Sequence, residues 1–395
     1  MTRWRLIASV PLLLIAGYFA LLFAAEPAEK NQPTAFAIGI AVGFLASLLQ
    51  RHLQRLYALL PLGSAFMAVA LVGRNFVPES VIPVAVLGVS VGITLLPIHR
   101  GLFFALPQKF RFGAFACLYA AVIALLLPLV WLLPRDDRRL ESIVCVAIST
   151  ISLVVSTCVF LREIVEQLVE IIIWPLYRVR AFGPGLHKVP LQGPAIVVAN
   201  HAAWLDPIWL AKVLPCRLTP MMTSRFFDKP LIGWVVRVLA HAIRVPDTGF
   251  RREAPEIQQA LQRLREGHIV MIFPEGRMRR TEKLLLRRFG QGIYQILRDQ
   301  PHVPVIACWI DGNWGSYTSF AGGPPTKNKK PDFWRKIRIG VSAPIAVPAN
   351  VLEEGNRTRR YLMQACFEAR KHIGLDVPEV EVFAERDEEG DDDKN

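Results

Sequence analysis

Apolar positions along the chain fall into two regimes. Up to about residue 160 they form long runs, at 6–25, 34–49, 56–72, 81–98, 112–133 and 142–161. A helix needs about 20 mainly apolar residues to cross a bilayer, and most of these runs approach that length. The run 34–49 is short and 56–72 contains Pro61, so each also reads as a buried core helix. From 164 to 176 apolar residues alternate with Glu166 and Glu170, which predicts an interfacial or linker helix. After that the apolar runs shorten. Strands are expected at 195–199, 269–273, 303–310 and 337–341, and helices at 206–213, 232–239, 256–266 and 361–372. In 256–266, Ile257, Ala260, Leu261 and Leu264 recur at helical spacing, and Gly267 ends the pattern. Asp206-Pro207 reads as a helix start, with Asp206 as the cap and Pro207 in the first turn.

This alternation predicts a multi-span α-helical membrane region followed by an α/β domain with a mixed, largely buried sheet. The expected divisions are a membrane region at 1–162, a linker helix at 163–180, a cytoplasmic domain at 181–375 and an acidic disordered tail at 376–395. Arg3 and Arg5 precede the first run, which reads as a signal anchor because further spans follow. Arg51, Arg55, Arg100, Lys109, Arg111 and Arg162 mark alternate loops, while the other loops carry balanced charge. Positive loops stay in the cytoplasm, so both the N-terminus and the α/β domain are placed there. The chain carries +13, and its last twenty residues hold ten acids and two bases, which leaves the remainder more basic still. A basic domain beside membrane spans suits anionic lipid. No nucleic-acid motif competes for the charge. The six cysteines show no Cys-x-x-Cys spacing, so neither a metal site nor a disulfide framework is indicated.

Two of the expected strands end in chemistry. The run 195–199 leads into Asn200-His201-Ala202-Ala203-Trp204-Leu205-Asp206, and 269–273 leads into Pro274-Glu275-Gly276-Arg277. Open α/β sheets place ligands at the carboxyl ends of their strands. A carboxylate five residues after a histidine can orient it as a general base, and of the eight histidines only His201 has that spacing. No Gly-x-Ser-x-Gly elbow is present to supply a serine nucleophile.

Together the blocks Asn200-His201…Asp206-Pro207, Phe273-Pro274-Glu275-Gly276-Arg277 and Val303-Pro304-Val305-Ile306 make the sequence similar to the glycerolipid acyltransferase family, which acylates 1-acylglycerol-3-phosphate or lysophospholipids. The resemblance covers roughly residues 178–348 and leaves the apolar region unexplained. It implies an acyl group moving from acyl-CoA or acyl carrier protein to the free hydroxyl of a lysophospholipid or 1-acylglycerol-3-phosphate. No cofactor, metal or nucleic acid is implied. His201 and Asp206 would be catalytic. Asn200, Glu275, Gly276, Arg277, Arg244 and Pro304 would contact substrate, with Arg277 gripping phosphate. Arg277 follows Gly276 directly, as in the lysophosphatidylethanolamine branch, whereas lysophosphatidate acyltransferases usually have Thr or Ser between them. The family's middle block ends in Asp-Arg, and here Arg244, Arg251 and Arg252 compete for that place. The basic run Arg279, Arg280, Lys283, Arg287 and Arg288 is interleaved with Leu284, Leu285, Leu286 and Phe289, which predicts membrane contact. The competing reading makes lysolipid binding or flipping by the spans the main activity. Those spans carry few ionisable residues to mark a polar path.

Overall fold

The computed structural model describes residues 31–48, 55–77, 79–105, 138–173, 177–190, 193–238, 240–246 and 254–378. The runs expected at 6–25 and 112–133, Arg251, Arg252 and the tail from 379 onward lie outside them. The chain divides into two compact units, Met1–Val169 and Glu170–Asn395.

The first unit contains the helices Gln32–Leu48, Leu59–Phe76, Val81–Ala105 and Arg138–Val159 and the start of Leu161–Ile173. Among the described residues, two segments are long and apolar enough to cross a membrane, Leu56–Phe76 and Val81–His99. They fall on the expected runs at 56–72 and 81–98. Val146–Val159 and Leu161–Val169 meet at a 73° bend and make a third only if counted as one span. The run expected at 34–49 is a shorter apolar helix. That helix packs on Val81–Ala105 through glycines. A Cβ at Gly39 or Gly43 would lie 2.2 Å from a backbone oxygen of the partner helix, and so would one at Gly88 or Gly92. Small residues four apart let helix backbones approach where lipid offers no hydrophobic drive.

The second unit is built on a seven-stranded sheet: β1 (Tyr177–Phe182), β2 (Ala195–Ala199), β3 (Leu218–Thr223), β4 (Ile243–Val245), β5 (Ile269–Ile272), β6 (Val305–Asp311) and β7 (Arg335–Val341). The order is β1-β7-β6-β2-β5-β3-β4. All neighbours run parallel except β6 and β7. The sheet is mixed, as the sequence pattern predicts.

Helices cover both faces. Ile196 and Val198 of β2 face a core with Leu261, Ile296 and Phe367, from the helices Pro255–Arg265, Gln291–Asp299 and Gly355–Arg370. Ala195, Val197 and Ala199 face Trp209 and Leu210 of the helix Asp206–Val213. Side chains alternate across a strand, so a strand covered on both sides reads as an unbroken apolar run. This is why β2 and β5 were legible.

The expected membrane contact through 284–289 needs correction. Leu286 and Phe289 are fully buried, and Leu284 and Leu285 pack on the same core. The segment is an irregular loop rather than a helix, so its apolar side chains turn inward and fill the domain instead of forming an outer stripe.

Candidate functional site

Three adjacent parallel strands, β6, β2 and β5, end side by side, and each delivers a polar residue just beyond its end: Asn313, His201 and Glu275. His201 and Asp206 are joined directly, with Nδ1 2.9 Å from the Asp206 Oδ2. The carboxylate is fully buried. Its Oδ2 also accepts the backbone N–H groups of Ala202 (2.6 Å) and Ala203 (2.8 Å), and its Oδ1 accepts the Asn313 side-chain amide. Four donors on one buried group match a carboxylate, which only accepts. With an acceptor at Nδ1, that nitrogen carries the ring proton and Nε2 presents the lone pair. Nε2 has no partner among the described residues, and the side chain is 19% exposed. The ring stacks on Phe273, with centroids 4.3 Å apart, which fixes its plane.

Asp206 was expected to cap the helix that follows it. The cap is Leu205, with no side-chain hydrogen bond, and Asp206 is the first helical residue. Its carboxylate turns back onto the preceding loop instead. The 201–206 loop therefore folds around this one charge.

Glu275 is buried and bridges two loops. It accepts the His201 N–H at 2.7 Å and the Arg287 N–H at 2.9 Å. Burial pushes its pKa up to about 8, against the two backbone donors that favour the carboxylate. Each oxygen thus accepts one backbone N–H. Gly276 turns with φ +70°, a left-handed conformation that glycine adopts without strain. Arg277 beside it is exposed and has no partner among the described residues.

Three further expected site residues stand in the following surroundings. Asn200 is buried, and its side chain is used twice on Ile310, donating to the carbonyl at 2.9 Å and accepting from the N–H at 2.7 Å. It clamps β2 to β6 and has little left for substrate. Arg244 makes an exposed bidentate pair with Asp228, at 2.9 and 2.6 Å, so its guanidinium is engaged at the far edge strand, β4. Pro304 lies at the amino end of β6, where its carbonyl accepts the Ile196 N–H. A strand rises about 3.3 Å per residue, which puts Pro304 roughly 13–17 Å from the chemistry at the other end of β2.

One residue at the site was not singled out from sequence, Asn313. Arg279, expected only as part of the basic run, also reaches the site: its N–H donates to the His201 carbonyl at 2.7 Å, and its guanidinium lies 4.6 Å from the Trp314 ring centre. The clue to Asn313 was Asp311-Gly312-Asn313, polar residues after an apolar strand, the same pattern that exposed His201 and Glu275. The buried thiols of Cys216, Cys308 and Cys366 are all pushed up by desolvation, Cys216 to about 12, which keeps them protonated and poor nucleophiles.

Residues 184–311 match the Acyltransferase family model. A lyso-ornithine lipid O-acyltransferase of Rhodobacter capsulatus is 39% identical over 92 residues, which are 22% of this chain and 30% of that protein. A 1-acyl-sn-glycerol-3-phosphate acyltransferase of Borreliella burgdorferi is 25% identical over 108 residues, 27% of this chain and 42% of that one. The chain thus spans less than half the length of either of these curated relatives. The crystal structure of PlsC, the 1-acyl-sn-glycerophosphate acyltransferase of Thermotoga maritima, aligns with TM-score 0.42 and 16% identity, over 55% of this chain and 83% of that one. The segment that matches this family model carries His201, Asp206 and Glu275.

Proposed function

We propose that the protein is a membrane-bound O-acyltransferase that moves a fatty acyl group from acyl-CoA or acyl carrier protein to the free hydroxyl of a lysolipid, with His201 as base. The observation that carries this reading is the His201 ring itself. A buried carboxylate anchors Nδ1, the ring lies against Phe273, and Nε2 has no partner among the described residues. In this mechanism Nε2 takes the hydroxyl proton as the oxygen attacks the thioester carbonyl. The C–S bond then breaks, and the imidazolium returns the proton to the departing thiolate. Asp206 stabilises the imidazolium between the two steps. Proton transfer of this kind contributes about 10²- to 10⁴-fold in rate.

Arg277, exposed beside the left-handed turn, serves as the contact for an acidic headgroup. The acceptor class is a lysophospholipid, a 1-acylglycerol-3-phosphate or a lyso-ornithine lipid, the last suggested by the Rhodobacter relative. The apolar helices hold the domain at the bilayer that contains this acceptor, and the charge pattern puts the catalytic unit on the cytoplasmic side, where both thioester donors occur. The proposed divisions remain a membrane region at 1–162, a linker at 163–180, a catalytic domain at 181–375 and an acidic tail.

The test is acyl transfer by the full chain purified in detergent. Labelled acyl-CoA and acyl carrier protein are offered against lysophosphatidate, lysophosphatidylethanolamine and lyso-ornithine lipid, with His201→Ala alongside. Transfer by the wild type and none by the variant is expected. A folded wild type that acylates no member of the panel overturns the reading.

A further inference from the structure

The buried carboxylate at the centre of the site has a fourth donor that neither the family match nor the His–Asp spacing accounts for. Three donors, His201 Nδ1 and the N–H groups of Ala202 and Ala203, converge on Oδ2 of Asp206. Oδ1 accepts from Nδ2 of Asn313, which is 107 residues away in sequence and 1% exposed. Its own Oδ1 is buried with no hydrogen-bond partner among the described residues. Unsatisfied buried acceptors are rare enough to need a reason, and here the reason is the other end of the same amide.

The backbone around Asn313 is gripped from both sides. Arg335 donates from Nε to the Gly312 carbonyl at 2.6 Å and from Nη2 to the Trp314 carbonyl at 2.7 Å. Its Nη1 is tied to Asp332 at 2.8 Å. Gly312 has φ +90°, and a Cβ there would stand 2.3 Å from the Lys336 carbonyl oxygen. Asn313 therefore hangs from a segment with little freedom to move.

We propose that Asn313, held by Arg335, is a positioning residue that locks the Asp206 carboxylate and through it the orientation of His201. The inference rests on the acyltransferase reading for what His201 does, and on the hydrogen bonds alone for what Asn313 does. The position requires a neutral donor. Aspartate would set a second carboxylate against Asp206, and alanine would leave Oδ1 buried and unpaired. An Oδ1 without its donor leaves more negative charge facing the ring, which favours imidazolium and removes the free base at low pH. Glu275 accepts the His201 N–H, and Arg279 and Arg287 join the same network through their backbone N–H groups; none of the three changes in the variants below.

The experiment compares wild type with Asn313→Ala, Asn313→Ser and Asn313→Asp, each as the full chain in detergent. Three quantities are read: kcat and KM, the pH dependence of kcat, and the low-field proton resonance of His201 Nδ1–H, assigned by its loss in His201→Ala. Asn313→Ala is expected to lower kcat about tenfold to hundredfold with KM within about twofold. It should also move the acid limb of the kcat profile to higher pH and shift the Nδ1 resonance. Asn313→Asp moves the limb further the same way. Asn313→Ser, which keeps a donor, recovers part of both. A wild-type limb and resonance in Asn313→Ala overturn the proposal, as does a kcat loss that serine leaves unrepaired with the limb unmoved. Should the alanine variant fail to fold by circular dichroism, serine and aspartate decide, and identical limbs in those two overturn it. Wild type without acyl transfer sinks only the functional reading, because the resonance still reports whether Asn313 governs the His201–Asp206 bond.

Discussion

The polar contacts of the helical unit and of the sheet unit differ in reach. In the first, Ser64 donates to the Leu60 carbonyl and Thr94 to the Ser90 carbonyl within their own helices, and Ser90 reaches a neighbouring helix at the Gly63 carbonyl. These hydroxyl bonds are neutral and join at most two helices. In the second, two buried carboxylates each gather backbone from separate loops. Asp206 draws in 202, 203 and 313, and Glu275 joins 201 to 287. The contrast teaches where reactivity resides. A helix can satisfy polar atoms by itself, whereas an ionisable group buried among loops holds distant segments in one arrangement.

The sharpest way to break this contrast is Asp206→Asn. An amide keeps one acceptor oxygen and turns an NH2 against donors that require an acceptor, so either Asn313 or the ring with Ala202 and Ala203 is left facing a donor. We expect kcat to fall about 10²- to 10⁴-fold with KM little changed, measured in the acyl-transfer assay. Survival of more than a tenth of the activity would show that the buried carboxylate is structural only.

The helical unit should fail through packing instead. Gly92→Val places atoms where the Ile40 carbonyl already stands. A cost of about 1–3 kcal/mol is expected, read as a lower thermal midpoint in detergent, while Ser64→Ala stays within roughly 0.5 kcal/mol. Equal effects from the two would erase the distinction between backbone approach and local hydroxyl bonding.

Glu275 refines the comparison through pH. Its folded pKa, about 8, lies above the ordinary 4.5. A raised carboxyl contributes its full stability below the unfolded value and loses it as pH climbs through the folded one. The thermal midpoint of the wild type should therefore fall between about pH 4.5 and 8, and Glu275→Gln should flatten that slope. Parallel slopes in the two proteins would remove Glu275 as the cause. The smallest effect is expected at Arg244→Ala. Its pair with Asp228 is exposed, so the thermal midpoint and acyl transfer should both stay at their wild-type values.

Much of this was legible in the sequence because fully buried strands stand out as apolar runs and the residues just past them are polar for a reason. That pattern marks His201, Asp206 and Glu275, and Asn313 follows β6 in the same way. It could not place Arg244 or Pro304. Whether a residue sits at the chemical end of a sheet depends on strand order and direction, and pairing partners settle those. Nor could it place Leu286 and Phe289. Charges interleaved with leucines fit an amphipathic surface and an inward-turning loop equally well until the neighbouring helices are in position.

One consequence follows from β2 being covered on both faces. A strand with one wet face is aligned by its in-and-out pattern, because slipping by one residue would drown apolar groups and bury polar ones. The five residues of β2 are all buried, so the contrast of wet and dry faces is absent, and a slip would exchange the two cores rather than expose either. The two-bond grip of Asn200 on Ile310 adds an alignment of its own. Asn200→Ala would loosen that grip and let His201 drift from its partners without unfolding the domain. For this domain, a good melting curve is no certificate of a working site.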